Sequence, residues 1–421
     1  GEKAFELYDT YGFPLDLTRD VLEEQGLTVD EESFNKEMQA QRERARSGRA
    51  DTSGEAWKED IYSKLDKSLP ATNFIGYDNL TSDSKVLAIL TNNDIVKSAG
   101  EGQDISIILD TTPFYAESGG QVGDTGRIYS NHFELEVVDC KKVADGRFAH
   151  VCKVVKGEVS VGDGCKVEVN TSRRMSIARN HSTTHLLQKA LRTVLGTHVE
   201  QAGSLVTPDR FRFDFSHFKA MTEDELEKVE KLVNEAILDS YDIFIKEASI
   251  AEAKQMGAMA LFGEKYGDVV RVVKMGDYST ELCGGTHLTA TSQAGMFKIL
   301  SESGIAAGVR RIEGITGEKV YEHMKDEEKL VKEISEKLKV FPKESPKKIE
   351  ALMSQLKETE RELSALKSKL ASGSLDEVIA NAKEVKGVKC IVHSFENMSS
   401  DDLRSLGDKL RDKYFNSVVI L

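Results

Sequence analysis

Two histidine-containing motifs, far apart in the chain, constrain this sequence more than any other feature. The first, Arg179–Leu187, contains His181 and His185. Residues four apart on a helix face the same direction, so both imidazoles can bind one metal ion. The second is Cys283–His287 (CGGTH), whose two glycines allow a loop to bend with both end side chains facing inward. Three histidines and one cysteine are a zinc ligand set, so the sequence predicts a fold that brings them together.

The spacing of these motifs leaves other interpretations open. Two histidines four apart often arise by chance, and a Cys–His pair at the same spacing is no more specific. Both motifs occur, however, in a chain with only five cysteines and nine histidines, which favours a shared metal site. A metalloprotease is disfavoured, because its HExxH motif needs a glutamate where this sequence has Ser182.

Length and composition describe a globular protein. The chain has 421 residues, of which 39% are hydrophobic and 30% charged, and this length allows about two to four domains. No apolar run is long enough to span a bilayer and no secretory signal is visible, so we expect a cytoplasmic protein with no membrane partner. The five cysteines are scattered, which argues against a disulfide framework and for a reducing compartment.

The charge is uneven along the chain. The formal net charge is −14, which argues against a protein that coats nucleic acid with its whole surface. Between Thr171 and Lys219, however, eight Lys or Arg residues stand against three Asp or Glu residues. Such a patch beside the predicted metal site suits a polyanionic substrate, although helix-rich surfaces often carry a local excess of this size.

The residue patterns predict a multidomain α+β fold, and the spacing of hydrophobic residues differs between its first two regions. Residues 1–75 are predicted to be helical. Residues 76–170 are predicted to form a small β-barrel, because short runs of alternating hydrophobic residues recur there. The glycine-rich stretch 111–126 within the barrel indicates hairpin turns and close backbone approach. It is not a phosphate-binding loop, because no Gly-Lys-Ser/Thr follows.

The third region, residues 171–318, is predicted to be an α+β core that carries both histidine motifs. Ser172 is predicted to cap the helix of the first motif, and Gly196 to end it.

The rest of the chain is predicted to be a long helical arm, residues 319–372, followed by part of an α/β domain, residues 373–421. Apolar residues at alternating three- and four-residue spacing predict the seam of a helical hairpin or a coiled coil. These seam positions are Ile349, Leu352, Leu356, Thr359, Leu363, Leu366 and Leu370. Ser372–Ser374 is predicted to break this helix. The residues that follow Gly1 are typical of a helix interior, and those that end at Leu421 are typical of a strand. The sequence therefore predicts a fragment of a longer protein.

Taken in order, the motifs resemble the editing half of the alanyl-tRNA synthetase family, and nearly the whole chain takes part. Besides the two histidine motifs, the resemblance rests on Leu7–Asp16, ESGGQVGDTG, Gln201–Ser204, RFDFSH and Gly308–Glu313. The family's amino-acid-activating catalytic domain is expected to have no counterpart in this chain.

The resemblance implies proofreading hydrolysis of the ester that joins serine or glycine to the 3′ end of alanine tRNA. It also implies partners, namely the acceptor end of that tRNA and a second copy of the chain through the helical arm. Gln201 is similar to a glutamine that lines the family's editing pocket, and Thr112 to a threonine that reads the serine hydroxyl. The zinc ligands that the resemblance implies are His181, His185, Cys283 and His287.

The ligand count leaves two functions open. Four protein ligands are the closed pattern of a structural zinc site, whereas a catalytic zinc ion keeps one position for water or substrate. A zinc-dependent deacylase is expected if one ligand is loose or if the ion positions the substrate. The alternative is a non-catalytic tRNA-binding and dimerisation module in which zinc only holds the fold.

Overall fold

The computed structural model describes residues 61–421 except 67, 92–93, 259–268, 381 and 395–399, together with scattered positions among residues 1–38. Most of the predicted helical region 1–75 therefore lies outside the described residues. The chain is a multidomain α+β protein that contains a β-barrel sheet and several helices. It divides into two compact units, Gly1–His323 and Met324–Leu421. None of the described helices is both long and apolar enough to cross a membrane.

A closed antiparallel barrel occupies the first part of the larger unit. Its strands and the short strands beside it are β1 Asn73–Phe74, β2 Thr81–Leu90, β3 Ile95–Val96, β4 Ser98–Gly100, β5 Asp104–Leu109, β6 Thr111–Thr112, β7 Gly126–Tyr129, β8 Phe133–Lys142, β9 Phe148–Ser160 and β10 Gly164–Val169. The ring runs β10-β7-β8-β9-β5-β2 and closes where β10 pairs with β2. Alternate residues such as Ile107 and Leu135 are completely buried inside it, as a barrel with an apolar interior requires. The predicted barrel is confirmed.

The helix that carries His181 and His185 packs against a second sheet. The elements of this region are α1 Thr171–Leu195, β11 Gln201–Val206, β12 Phe211–Ser216, α2 Glu223–Leu238, β13 Ile243–Ser249, α3 Ile250–Gln255, β14 Val269–Met275, β15 Ser279–Leu282, β16 Phe297–Ala306 and β17 Val309–Thr316. One antiparallel sheet has the order β11-β12-β17-β16, and a smaller one the order β13-β14-β15. Phe211, Phe213 and Phe215 are completely buried in the core that β12 shares with α1 and α2.

The start of α1 differs from the sequence-based expectation by two residues. Asn170, not Ser172, is the N-cap, and its side chain accepts a hydrogen bond from the backbone N–H of Arg173 at 3.0 Å. The reason is that the helix already begins at Thr171, so Ser172 lies inside its first turn, where it cannot cap. The predicted end is confirmed, because Gly196 terminates the helix with a φ of 117°.

The smaller unit consists mainly of helices. Its elements, with the helix that leads into it, are α4 Glu318–Leu338, α5 Ser345–Ala380, β18 Lys383–Val385, β19 Val388–Val392, α6 Ser400–Lys413 and β20 Ser417–Ile420. The predicted break at Ser372–Ser374 is wrong, because α5 continues to Ala380. One glycine inside a helix costs only about 1 kcal/mol, which the rest of a long helix can absorb. Seam residues such as Leu356 and Leu363 are exposed.

Arg174 ties the first turn of α1 to the barrel region. Its guanidinium donates hydrogen bonds to the Gly76 and Pro113 carbonyls at 2.6 and 2.8 Å and is paired with the Asp124 carboxylate. Both charged side chains are almost completely buried. Arg174 therefore does not contribute to a surface patch, although it counts toward the positive excess between residues 171 and 219.

We expect Arg174→Met to destabilise the larger unit by about 3–5 kcal/mol, because the substitution leaves the Asp124 carboxylate buried without a partner. The matched control is Arg127→Met, which breaks the exposed pair between Arg127 and Glu168 and should leave stability nearly unchanged. Chemical denaturation of both variants measures the difference. Equal stability of the two would show that the Asp124 charge is not enclosed as the structure places it.

Candidate metal centre

The structure brings the side chains of both histidine motifs into one cluster. Their ligand atoms, one from each of His181, His185, Cys283 and His287, all lie within 4.8 Å of one another. We call these four residues the metal cluster. The Cys283 sulfur lies 3.3 Å from Nε2 of His181 and 3.2 Å from Nε2 of His287. The rings of His181 and His185 are stacked, as the four-residue spacing on one helix predicts.

Each imidazole of the metal cluster is held at its other nitrogen by a different side chain. Nδ1 of His181 lies 2.7 Å from the Gln121 amide oxygen, and Nδ1 of His185 lies 2.5 Å from the Glu281 carboxylate. Nδ1 of His287 lies 3.3 Å from the Ser182 hydroxyl. Such outer partners fix ring orientation and tautomer in metal sites, and they leave Nε2 for the metal.

The residues present fit a bound metal ion. Nε2 of His185 is buried and has no hydrogen-bond partner among the described residues, although buried polar atoms are nearly always paired. A metal ion would supply the missing partner. Three imidazole nitrogens and one sulfur are the donor types that zinc prefers in tetrahedral sites.

The protonation states of Cys283 and His287 also suit metal binding. Burial alone would raise the pKa of the Cys283 thiol, but the neighbouring His181 and His287 lower it well below its usual value. Burial lowers the pKa of His287 to about 3, so this ring is neutral. Burial opposes protonation of His185 too, but the Glu281 carboxylate and the Cys283 sulfur together outweigh it and raise the pKa of His185 to about 10. A metal ion bound at Nε2 of His185 would therefore displace the proton from that nitrogen.

Gln121 connects the barrel region to the cluster. Besides contacting His181, its amide oxygen accepts a hydrogen bond from the Thr286 N–H at 2.9 Å, and its amide nitrogen donates to the Thr286 hydroxyl at 2.9 Å. Its side chain is completely buried. The glycines of the stretch 111–126 predict close backbone approach, but the sequence pattern does not indicate a role for this side chain. Its position between the glycines of ESGGQVGDTG was the available signal.

Glu281 is a second residue at the cluster that the sequence pattern does not indicate. It lies on β15, two residues before Cys283, and it is almost completely buried. Ser279 donates a hydrogen bond to its second carboxylate oxygen at 2.8 Å. An isolated glutamate in a short strand carries no distinctive pattern, so only its position beside the CGGTH motif could have indicated a role.

Gly285 allows the close approach between the loop and α1. A Cβ atom at this position would lie 2.0 Å from Cε1 and 2.3 Å from Nδ1 of His181. At Gly284, in contrast, a Cβ atom would meet nothing within 4 Å. The two glycines of the motif therefore differ in purpose, and only Gly285 is required by contact with the cluster.

The two remaining predicted site residues lie outside this set of contacts. Gln201 is the first residue of β11, opposite Phe215, and its half-buried side chain forms no hydrogen bond with another described residue. Thr112 is completely buried, and its hydroxyl lies 2.8 Å from Nε2 of His150. Since Nδ1 of His150 faces the Ile107 carbonyl at 3.1 Å, that nitrogen carries the proton and Thr112 donates to Nε2.

Comparison with known families gives two matches. Residues 270–313 match the model described as threonyl and alanyl tRNA synthetase second additional domain, and these residues include Cys283 and His287. Residues 1–173 match the model described as tRNA synthetases class II (A). The expectation that the catalytic domain has no counterpart in this chain is therefore wrong. The pattern of residues 1–75 indicates helices joined to an editing region, and it contains no motif that points to the catalytic domain.

Relatives match the chain from end to end. They include the alanine–tRNA ligases of Acetivibrio thermocellus, at 53% identity over 421 residues, and of Clostridioides difficile, at 52%. The alanine–tRNA ligase of Alkaliphilus oremlandii is 50% identical over the same length. All of this chain is covered in each case, and it spans 48% of each relative. By these matches and the two family models, the chain is similar along its whole length to about half of an alanine–tRNA ligase.

Proposed function

We propose that this chain removes wrongly attached serine or glycine from alanine tRNA by hydrolysing the ester bond, with zinc at the metal cluster. The observation that carries the proposal is the convergence of four ligand atoms within 4.8 Å. The match of residues 270–313 to the second additional domain supports a tRNA-related role for this region. The names of the relatives support alanine tRNA as the substrate.

Zinc bound to one thiolate and three neutral imidazoles would keep a charge of about +1, enough to acidify a water molecule or hold the substrate amine. Side chains that are not ligands hold the ligands of this site in place. Gln121, Glu281 and Ser182 hold the imidazoles in one orientation. The ligands are therefore arranged before the substrate arrives, which lowers the cost of reorganisation during the reaction.

The pocket must also spare correctly attached alanine, whose methyl group lies between glycine and serine in size. A buried polar group that needs a partner discriminates by about 10⁴-fold, whereas one methylene gives only about 10 to 200-fold. We propose Gln201 and Thr112 for this task. The Gln201 amide has no protein partner among the described residues. The Thr112 hydroxyl donates to His150 and accepts from the Phe114 N–H at 3.2 Å, which leaves one lone pair that can accept from a serine hydroxyl.

A second function is supported by the ligand count. Four protein ligands are the closed pattern of a structural zinc ion, so a non-catalytic tRNA-binding and dimerisation module is the alternative.

We further propose that the chain takes part in the alanine–tRNA ligation for which its relatives are named, and the match over residues 1–173 supports this. The acceptor end of tRNA as partner and a cytoplasmic location belong to the same proposal.

Dimerisation through the helical arm is also proposed. The apolar seam of α5 is exposed to solvent, with Ile349, Leu352, Leu356, Leu363 and Leu366 each at least 42% accessible. Exposed apolar residues at coiled-coil spacing favour pairing with another helix.

The two glycines of the CGGTH motif give a matched test of the site. We expect Gly285→Ala to weaken zinc binding by at least about tenfold, because its methyl group displaces the ring of His181. Gly284→Ala should bind zinc like the unchanged protein. Competition with a chromophoric chelator measures both affinities. Equal zinc binding by the two variants would contradict the placement of this loop against α1.

Cys283→Ala distinguishes the two proposed functions. If the chain is a deacylase, this variant should still bind tRNA but lose at least about a hundredfold in the rate of seryl-tRNA hydrolysis, because a metal ligand is gone. Unchanged hydrolysis would rule out the enzymatic proposal. If the variant unfolds, Gln201→His is the replacement test, because it leaves all four ligands in place and should still slow hydrolysis.

Sedimentation velocity tests the proposed dimer. We expect the unchanged chain to sediment as a dimer and the variant Leu356→Lys/Leu363→Lys as a monomer, because two charges in the seam make pairing unfavourable. The variant Lys357→Glu, which changes a charge beside the seam without entering it, is the control. A monomer for the unchanged chain would remove the arm from the proposal.

A further inference from the structure

Two side chains from distant parts of the sequence hold the loop that contains Cys283. The Tyr77 hydroxyl donates a hydrogen bond to the Gly284 carbonyl at 2.6 Å. The Arg271 guanidinium donates to the Gly285 carbonyl at 2.5 Å and approaches the Cys283 carbonyl at 3.4 Å. Three consecutive carbonyls are therefore held from outside the loop.

Tyr77 and Arg271 also hold each other. The guanidinium carbon of Arg271 lies 3.8 Å from the centre of the Tyr77 ring, a cation–π contact. The ring of Phe74 packs against Tyr77 edge-to-face at 4.9 Å. Tyr77 precedes the first long strand of the barrel, whereas Arg271 lies on β14. The pair thus joins the barrel region to the small sheet from which the loop emerges.

The loop depends on these contacts because its Gly284–Gly285 segment has no side chain to anchor it, although Gln121 holds the following residue, Thr286. Its two central residues are glycines, and nothing lies within 4 Å of where a Gly284 side chain would begin. Its position nevertheless determines the distance of 3.3 Å between the Cys283 sulfur and Nε2 of His181. Burial raises the pKa of Tyr77, so its hydroxyl remains protonated and available as a donor.

We propose that Tyr77 and Arg271 form a latch that holds the Cys283 loop over the histidines and sets how firmly the metal ion is retained. They are positioning residues, since they contact backbone carbonyls and none of the ligand atoms. The proposal rests on the proposed function in one respect, namely that the metal cluster binds zinc. It adds two residues that lie outside the ligand set and form no hydrogen bond with a ligand atom.

The test is zinc retention by Tyr77→Phe, which removes one hydroxyl and keeps the ring under Arg271. We expect zinc to bind about fivefold more weakly and to leave faster, which is the effect of one net hydrogen bond. Tyr129→Phe is the matched control. Tyr129 also carries an arginine over its ring, Arg127 at 4.8 Å, but its hydroxyl makes no hydrogen bond with a described residue. Chelator competition and the rate of zinc release are measured on the whole chain.

Arg271→Lys provides a second variant. It keeps the charge but cannot reach two carbonyls while lying flat on the ring, so zinc should again be released faster than from the control. Circular dichroism of the zinc-free proteins verifies that each variant folds. Seryl-tRNA hydrolysis by either variant should return to the unchanged rate when zinc is in excess, because only retention of the ion is impaired.

Three results would overturn the latch. Zinc affinity and release equal to those of Tyr129→Phe would show that the contacts do not restrain the loop. A loss of hydrolysis that excess zinc does not restore, with normal zinc affinity, would mean that Tyr77 acts on the substrate. If the unchanged chain binds no zinc, the proposed function fails together with the latch, whereas the first two results leave the metal centre intact.

Discussion

The approach of the Cys283 loop to helix α1 is the contact on which the rest of the site depends. The ligands come from two segments that are far apart in sequence, and their atoms meet only because the loop lies directly on the helix. Gly285 makes this possible, since any side chain there would overlap the ring of His181. The four ligand atoms can meet only if α1 is buried beneath the loop and the loop has no side chain at position 285.

The barrel region is part of the metal centre although it supplies no ligand. Gln121 holds both His181 and the Thr286 backbone, and Tyr77 holds the Gly284 carbonyl. The buried Arg174–Asp124 pair fixes the start of α1 against the same region. The orientation of the His181 ring thus depends on Gln121 in the barrel region, whereas Ser182 on α1 itself contacts the ring of His287.

The sequence predicted the features that depend on local patterns. Alternation of hydrophobic residues indicated the barrel strands, and the spacing of His181 and His185 indicated that both rings share one helix face, as observed. Gln121 and Glu281 could not be predicted in this way, because their roles depend on contacts with residues distant in sequence. Asn170 was missed since several polar residues near a helix start can all act as caps, and only the backbone selects one.

The outer partners of the imidazoles bear on the choice between a structural and a catalytic ion. A carboxylate, an amide and a hydroxyl each hold one ring, and outer partners of this kind occur around metal-bound histidines in structural and catalytic sites alike. The carboxylate partner raises the basicity of His185, and a neutral amide beside His181 adds no charge. The three imidazoles would therefore differ in how strongly they donate to a bound metal ion, and the ring with the longest outer contact is that of His287, 3.3 Å from the Ser182 hydroxyl. An unequal ligand set of this kind would favour the proposed catalytic zinc ion over a structural one, because the least restrained ring could give up its position to substrate.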